Sequence, residues 1–234
     1  MHSPQHRLVK CVALALAVLL LSVAALVPVS ALEPYGNNIR IRNWVNNDPA
    51  YTFSEQYMTS VWYRNFSALA LTANPRNNVL RIALSQLGYH EGDSAKDFDG
   101  MNKSGSSNYI EYARLIVPNY NDNHYEWCAC FVSWCADQAG LIQKEAVPKF
   151  SVCTDGVAWF QAKGKWQSGG SVPTPGTIIF FDWDHDGASD HVGIVERCDG
   201  TTVHTIEGNS GDAVKQNSYT VNSQSILGYG LVAY

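Results

Sequence analysis

His191-Val192-Gly193-Ile194-Val195-Glu196-Arg197 and Thr201-Thr202-Val203-His204-Thr205-Ile206-Glu207, with Asp199-Gly200 between them, are the stretch on which the fold turns. Both runs are rich in β-branched residues, and an Asp-Gly pair between such runs marks an antiparallel hairpin. Thr177 to Phe181 reads as a strand before the hairpin and Ser225 to Tyr234 as one after it. Upstream of Pro173 and Pro175 the character is helical. Ser54 to Leu71 carries an apolar stripe with Ser54 as cap and Asn74-Pro75 as its end. Val79 to Leu87 follows Asn77-Asn78 and stops at Gly88. Asn108 to Ile116 is a short helix ended before Pro118. The polar run Asn119 to Glu126, with Asn121, Asp122 or Asn123 as cap, leads into a cysteine-rich helix that stops at Gly140, and Thr154 to Ala162 makes one more. Helices first and strands later predict an α+β domain, N-terminal helices packed on a C-terminal antiparallel sheet.

The first residues read as a leader rather than as part of that fold. His2, His6, Arg7 and Lys10 make a basic start, Cys11 to Val27 carry no charge, and Val29-Ser30-Ala31 offers small residues for cleavage after Ala31. The rival is an uncleaved anchor, for which the apolar run is near the lower length limit. Residues 1–31 are therefore expected to be a signal peptide, with no stable membrane span after its removal, and the protein to be secreted, extracellular or cell-wall associated. The chain carries 16 Lys and Arg against 21 Asp and Glu, a formal net charge of −5, and loss of Arg7 and Lys10 makes the remainder more acidic. That argues against nucleic acid as a partner, since phosphate binding requires a basic surface. The expected state is a monomer.

Of six cysteines, Cys11 leaves with the leader, and the odd remainder requires a free thiol or an intermolecular bridge. Cys130, Cys135, Cys153 and Cys198 could bridge or simply pack, and their pairing stays open. Cys128 opens its helix, where the positive end of the macrodipole lowers a thiol pKa. Cys130 points to another face and Cys135 falls deep in the helix. His191 opens a strand beside Asp190, and Glu207 and Asn209 sit two apart near the end of the next. A two-residue turn would set His191 opposite Gly208 and put Glu207 on the other face. A three-residue loop sets His191 opposite Asn209, and Glu207 opposite Gly193 on the same face. The three-residue register is expected; a bulge is the other device that gives it. Nucleophile, base and orienter in that order predict thiol hydrolase chemistry, with Cys128, His191, Glu207 and Asn209 as its residues.

Trp127-Cys128-Ala129 with Phe131-Val132-Ser133-Trp134-Cys135, then Asp190-His191-Val192-Gly193-Ile194-Val195, then Ile206-Glu207-Gly208-Asn209, resemble the CHAP family of cysteine, histidine-dependent amidohydrolases/peptidases, in the papain-like NlpC/P60 superfamily. Gly88-Tyr89-His90-Glu91 and Pro175-Gly176-Thr177 through Phe181 also fit, although many relatives carry an acid where Thr177 stands. The resemblance covers roughly Leu80 to Tyr234. It implies a papain-like α+β fold and cleavage of amide bonds in bacterial peptidoglycan, as an N-acetylmuramoyl-L-alanine amidase or as a stem or cross-bridge endopeptidase. It implies Cys128 as nucleophile, His191 as base, and Glu207 with Asn209 as polar partners. Residues 32–79 are then an N-terminal extension with a helix and residues 80–234 the catalytic domain. The rival is a non-catalytic wall-binding or scaffold module on the same fold.

The chemistry requires no cofactor. Asp182, Asp184 and Asp186 stand on alternate positions before Gly187, with Asp190 in the ninth position, as at the opening of a calcium loop. The glutamate of the twelfth position is replaced by Gly193. A structural calcium held by these four carboxylates competes with a plain polar turn into the His191 strand. Cys128, Cys130 and His191 have no spacing suited to zinc. Trp183 and Trp166 lie in loop-like sequence and are candidates to stack on a sugar.

Overall fold

A computed structural model of the chain describes residues 51–116 and 126–234. The leader, residues 32–50 and the polar run from Asn119 through Asn123 lie outside the described residues.

The helical half is built from short, individually capped pieces. Ser54 caps α1 (Glu55–Thr59), its hydroxyl accepting from the Tyr57 N–H. Ser60 ends α1 and, in extended backbone, caps α2 (Val61–Ser67) through the Tyr63 N–H. The single helix expected over this stretch is therefore broken in two, because Ser60 offers its backbone a side-chain partner outside the helix. Asn74-Pro75 starts a helix rather than ending one: Asn74 caps α3 (Pro75–Ser85), and Pro75 occupies a first-turn position that needs no N–H. The predicted helix from Asn108 contracts to α4 (Ala113–Ile116), since Asn108 sits at φ +57° and Tyr109 bridges to Gly92. The cysteine helix is α5 (Cys128–Gln138). Its N-cap is Trp127, which makes no side-chain cap bond; the expected caps Asn121, Asp122 and Asn123 lie outside the described residues. α6 spans Cys153–Ala162.

Six strands form one antiparallel sheet in the order β1-β6-β2-β3-β4-β5. They are β1 (Trp166–Ser168), β2 (Ile178–Phe181), β3 (His191–Cys198), β4 (Thr202–Glu207), β5 (Lys215–Thr220) and β6 (Ile226–Gly230). The sequence had marked β2, β3, β4 and β6. It missed β1, which places Trp166 in the sheet with its ring 5.6 Å from that of Phe180, and β5, whose pattern is polar. Helices on one face of an antiparallel sheet, in that chain order, make this an α+β fold.

The β3–β4 register at the site is the one expected, with Ile194 opposite Ile206 and Val195 opposite Thr205. The route to it differs. The last pair is Cys198 with Val203, so four residues close the loop, and a bulge between Val195 and Arg197 restores the register.

Alternation along the strands divides the core. Ile178, Phe180, Val192, Ile194 and Ile206 face the helices and join Trp127, Phe131 and Trp134 of the α5 segment. Ile179, Phe181, Val195 and Val203 face the other way and pack with Tyr229 and Tyr219. Tyr51, Tyr57, Trp62 and Phe66 belong to the helix-side core. Their polar ends are satisfied. Tyr57 Oη donates to Gln86 Oε1 at 2.8 Å, Trp134 Nε1 to Tyr51 Oη at 3.0 Å, and Tyr51 Oη to Glu111 Oε1 at 2.8 Å. Glu111 is buried, and burial pushes its pKa up against the opposing pull of Arg114, 3.1 Å away. No helix among the described residues is long and apolar enough to cross a membrane.

Candidate active site

α5 delivers Cys128 to the first strand position of β3. Cys128 is 3 % exposed and sits at the helix N-terminus, where the first backbone N–H groups have no intrahelical partner. Trp127 is locked in front of it by a buried acid: Trp127 Nε1 donates to Glu91 Oε2 at 2.7 Å, and Glu91 Oε1 accepts from the Asn108 N–H at 3.0 Å. Gly208 lets the helix approach. A Cβ there would stand 2.5 Å from the Phe131 Cβ and 2.8 Å from the Trp127 ring.

His191 and Glu207 meet across β3 and β4. His191 Nε2 lies 3.0 Å from Glu207 Oε2, leaving the other ring nitrogen for the cysteine side. Gly193 makes room, since a Cβ at that position would fall 2.6 Å from the Glu207 Cγ. Glu207 is 1 % exposed and richly bonded. Its Oε2 also accepts from Asn217 Nδ2 at 2.7 Å and Tyr219 Oη at 3.2 Å, while its Oε1 accepts from Thr205 Oγ1. These bonds aim the carboxylate at one ring nitrogen.

The electrostatics of sulfur and ring are complementary. The Cys128 thiol is held well below the ordinary thiol range. The Cys153 thiol, 3.5 Å away, is the main cause; burial opposes it, and hydrogen bonding and charge from His191 add to it. At His191, burial lowers the imidazole pKa, but bonds to Cys128 and Glu207 and their charges outweigh it, raising the pKa to about 10. Both shifts favour the thiolate–imidazolium form of the pair over the neutral one. Cys130 is pushed up to about 12 by burial, and burial also raises Cys135, so neither offers a thiolate.

Asn209 does not join the ring. It lies beyond β4 at φ +55°, and its Nδ2 donates to Glu126 Oε2. The left-handed turn carries the side chain off the strand face, so Glu207 alone of the two expected partners holds His191. Asn217, Tyr219 and Thr205 do the remaining positioning. The first two sit on a strand too polar to announce itself, although their spacing of two places both on one face.

The aspartate loop separates into two parts. Ligand atoms of Asp182, Asp184 and Asp190 lie within 4.8 Å of one another. Asp186 falls outside that group and caps the Ala188 N–H at 2.7 Å. The loop satisfies much of its own carboxylate capacity. Asp182 accepts from the N–H groups of Asp186 and Gly187, and Asp190 accepts from that of Trp183. Calcium takes six to eight oxygens, and three carboxylates with Gly193 at the twelfth position fall short of an EF-hand set. Trp183 is 43 % exposed and stacks on Phe181 at 4.8 Å, beside His191.

Residues 120–209 match the CHAP domain model. Among solved structures, Ly7917, and Ly7917 with the hydrolyzing product of MDP, each share 17 % identity and a TM-score of 0.41. Each alignment covers 67 % of this chain and 62 % of that one. A protein similar to a lipoprotein of the NLP/P60 family, from Staphylococcus aureus subsp. aureus Mu50, shares 15 % identity at a TM-score of 0.38, over 70 % of this chain and 43 % of that one. The chain thus spans less than two thirds of these proteins' lengths. No curated protein matches it. The matched residues 120–209 hold the cysteine, the histidine and the glutamate of the site, so the site lies within the part of the chain that is similar to a CHAP domain.

Proposed function

We propose that this chain is an exported thiol hydrolase that cleaves amide bonds in peptidoglycan. The observation that carries the proposal is the convergence of a cysteine at a helix N-terminus, an imidazole, and a buried carboxylate that fixes the ring, with shifts that favour a thiolate beside an imidazolium. A wall-binding module on the same fold has no need of that charge arrangement.

The Cys128 thiolate attacks the carbonyl carbon of the scissile amide. N–H groups of the first turn of α5 receive the developing oxyanion. His191 gives its proton to the leaving amine, and the C–N bond breaks to leave a thioester. Water, deprotonated by the now neutral imidazole, then hydrolyses the thioester and returns the thiolate–imidazolium pair. Glu207, bonded to His191 Nε2, orients the ring and stabilises its protonated form, as the acid does in other triads. No step passes through the aspartate loop. Cleavage after Ala31, and with it secretion, is part of the same proposal.

Digestion of purified peptidoglycan with wild type and with Cys128→Ala tests it. Mass spectrometry should find new ends with the wild type only. A free amine on the residue next to the muramoyl group marks an amidase, and ends within the stem or cross-bridge mark an endopeptidase. Absence of new ends with the wild type would overturn hydrolysis of that wall.

A further inference from the structure

Cys153 has no part in the hydrolytic steps, yet its sulfur stands 3.5 Å from that of Cys128. The contact joins distant parts of the chain: Cys128 is the first residue of α5 and Cys153 the first of α6. Two helix starts converge on one pair of sulfurs. Both residues are buried, at 3 % and 7 % exposure. All five cysteines among the described residues are free thiols. A disulfide has S–S of about 2.05 Å, so the two sulfurs need an approach of about 1.5 Å, on the scale of a small side-chain rotation.

The two thiols are also chemically unequal. The hydrogen bond to Cys128, together with burial, drives the Cys153 thiol up, while the same bond holds Cys128 down. One sulfur is the thiolate that oxidants attack, and its neighbour keeps a proton.

We propose that Cys128 and Cys153 form a reversible dithiol–disulfide pair, in which Cys153 resolves Cys128 after oxidation by a peroxide. The thiolate sulfur attacks one peroxide oxygen and the O–O bond breaks. Cys128 becomes a sulfenic acid, and hydrogen peroxide, taking up one proton, leaves one water. The Cys153 sulfur then attacks the Cys128 sulfur. The S–O bond breaks, and the hydroxyl departs with the Cys153 proton as a second water. Two thiols are oxidised by two electrons, and one peroxide is reduced. The bridge shields Cys128 from the irreversible sulfinic and sulfonic stages. The pairing stands on its own geometry; only its consequence, a hydrolase switched off by peroxide and restored by thiol, rests on the proposed function.

The test treats the reduced full chain with a few equivalents of hydrogen peroxide, followed by intact mass and peptide mapping. Wild type should lose the mass of two hydrogens, yield a peptide joining Cys128 to Cys153, and return to its starting mass with dithiothreitol. Cys153→Ser and Cys153→Ala should form no such bridge; Cys128 should instead gain two or three oxygens that dithiothreitol does not remove. Hydrolysis of peptidoglycan, where present, should be lost and regained with the bridge in the wild type and lost for good in the variants. The proposal is overturned if wild-type Cys128 gains oxygens as the variants do, if it bridges Cys130, Cys135 or Cys198, or if peroxide leaves it unmodified. Because mass reads the bridge directly, an inactive wild type would count against the hydrolase and not against the pair.

Discussion

Glu207 is the residue on which the ring depends, and its environment sets what its loss should do. Four side chains of β3, β4 and β5 donate to it, and the imidazole is one of them. Glu207→Gln keeps the shape and removes the charge that helps hold His191 near 10. The imidazolium donates the proton to the leaving amine, so activity falls as pH rises through the His191 pKa. The alkaline limb of kcat/KM should therefore lie near pH 10 in the wild type and move toward neutrality in Glu207→Gln, with a lower plateau. A limb that stays in place would separate Glu207 from the imidazole. Glu207→Ala goes further, since it leaves buried donors without an acceptor and breaks a buried charge pair; a loss of about 3–5 kcal/mol is expected in denaturant melts. Much of this residue's role was legible. Its identity, and its place on one face with His191, followed from the register. Its bonds to Asn217 and Tyr219 did not, because Lys215–Thr220 shows no apolar alternation by which its sequence would mark a strand.

At the scale of elements, two glycines hold α5, β3 and β4 at working distance. Gly208→Ala would drive a methyl into Phe131 and the Trp127 ring, pushing the helix bearing Cys128 away from β4. Gly193→Ala would press on Glu207. Activity should fall at least about tenfold in each, since a shift of about 1 Å at a reacting group costs up to about a hundredfold; folding measured by circular dichroism should be retained. Unchanged activity in Gly208→Ala would show that the helix is not positioned there. The aspartate loop gives an opposite kind of expectation. Its carboxylates cap its own N–H groups, so a chelator should leave the melting temperature in place; a drop reversed by calcium would assign Asp182, Asp184 and Asp190 a metal. The hairpin shows why register was readable while the turn was not. The requirement that Glu207 and His191 share a face fixes the register locally, but a bulge and a longer loop satisfy it as well as a shorter loop does.

Across the whole molecule, the segment before α3 is part of the core that supports the site. Phe66 and Tyr57 are fully buried, and the Phe66 ring centroid lies 5.1 Å from that of Trp134 on the cysteine helix. Phe66→Ala should cost about 3–5 kcal/mol. A chain cut to begin at Leu80 should lose cooperative melting, because it would expose the apolar face that Tyr57, Trp62 and Phe66 cover. A truncated chain with wild-type stability would show that this covering is dispensable. The order of helices and strands, and so the fold class, was plain from periodicity. Contacts between remote positions were not: nothing local in Glu91 points to Trp127, and nothing in Cys153 points to Cys128. Such pairs are fixed by packing, which a pattern of neighbours along the chain does not encode.

The most direct measurement is the rate at which iodoacetamide alkylates each cysteine of the folded protein as pH is varied. An ordinary thiol, with a pKa of about 8.5, is mostly protonated and slow at pH 6. With its pKa held low by Cys153 and His191, Cys128 should already be modified at pH 6 and well ahead of Cys130 and Cys135. His191→Ala should shift that reactivity toward alkaline pH. Alkylation of Cys128 that rises only near pH 8.5, and is indifferent to His191, would contradict the thiolate–imidazolium pair on which the hydrolase is built.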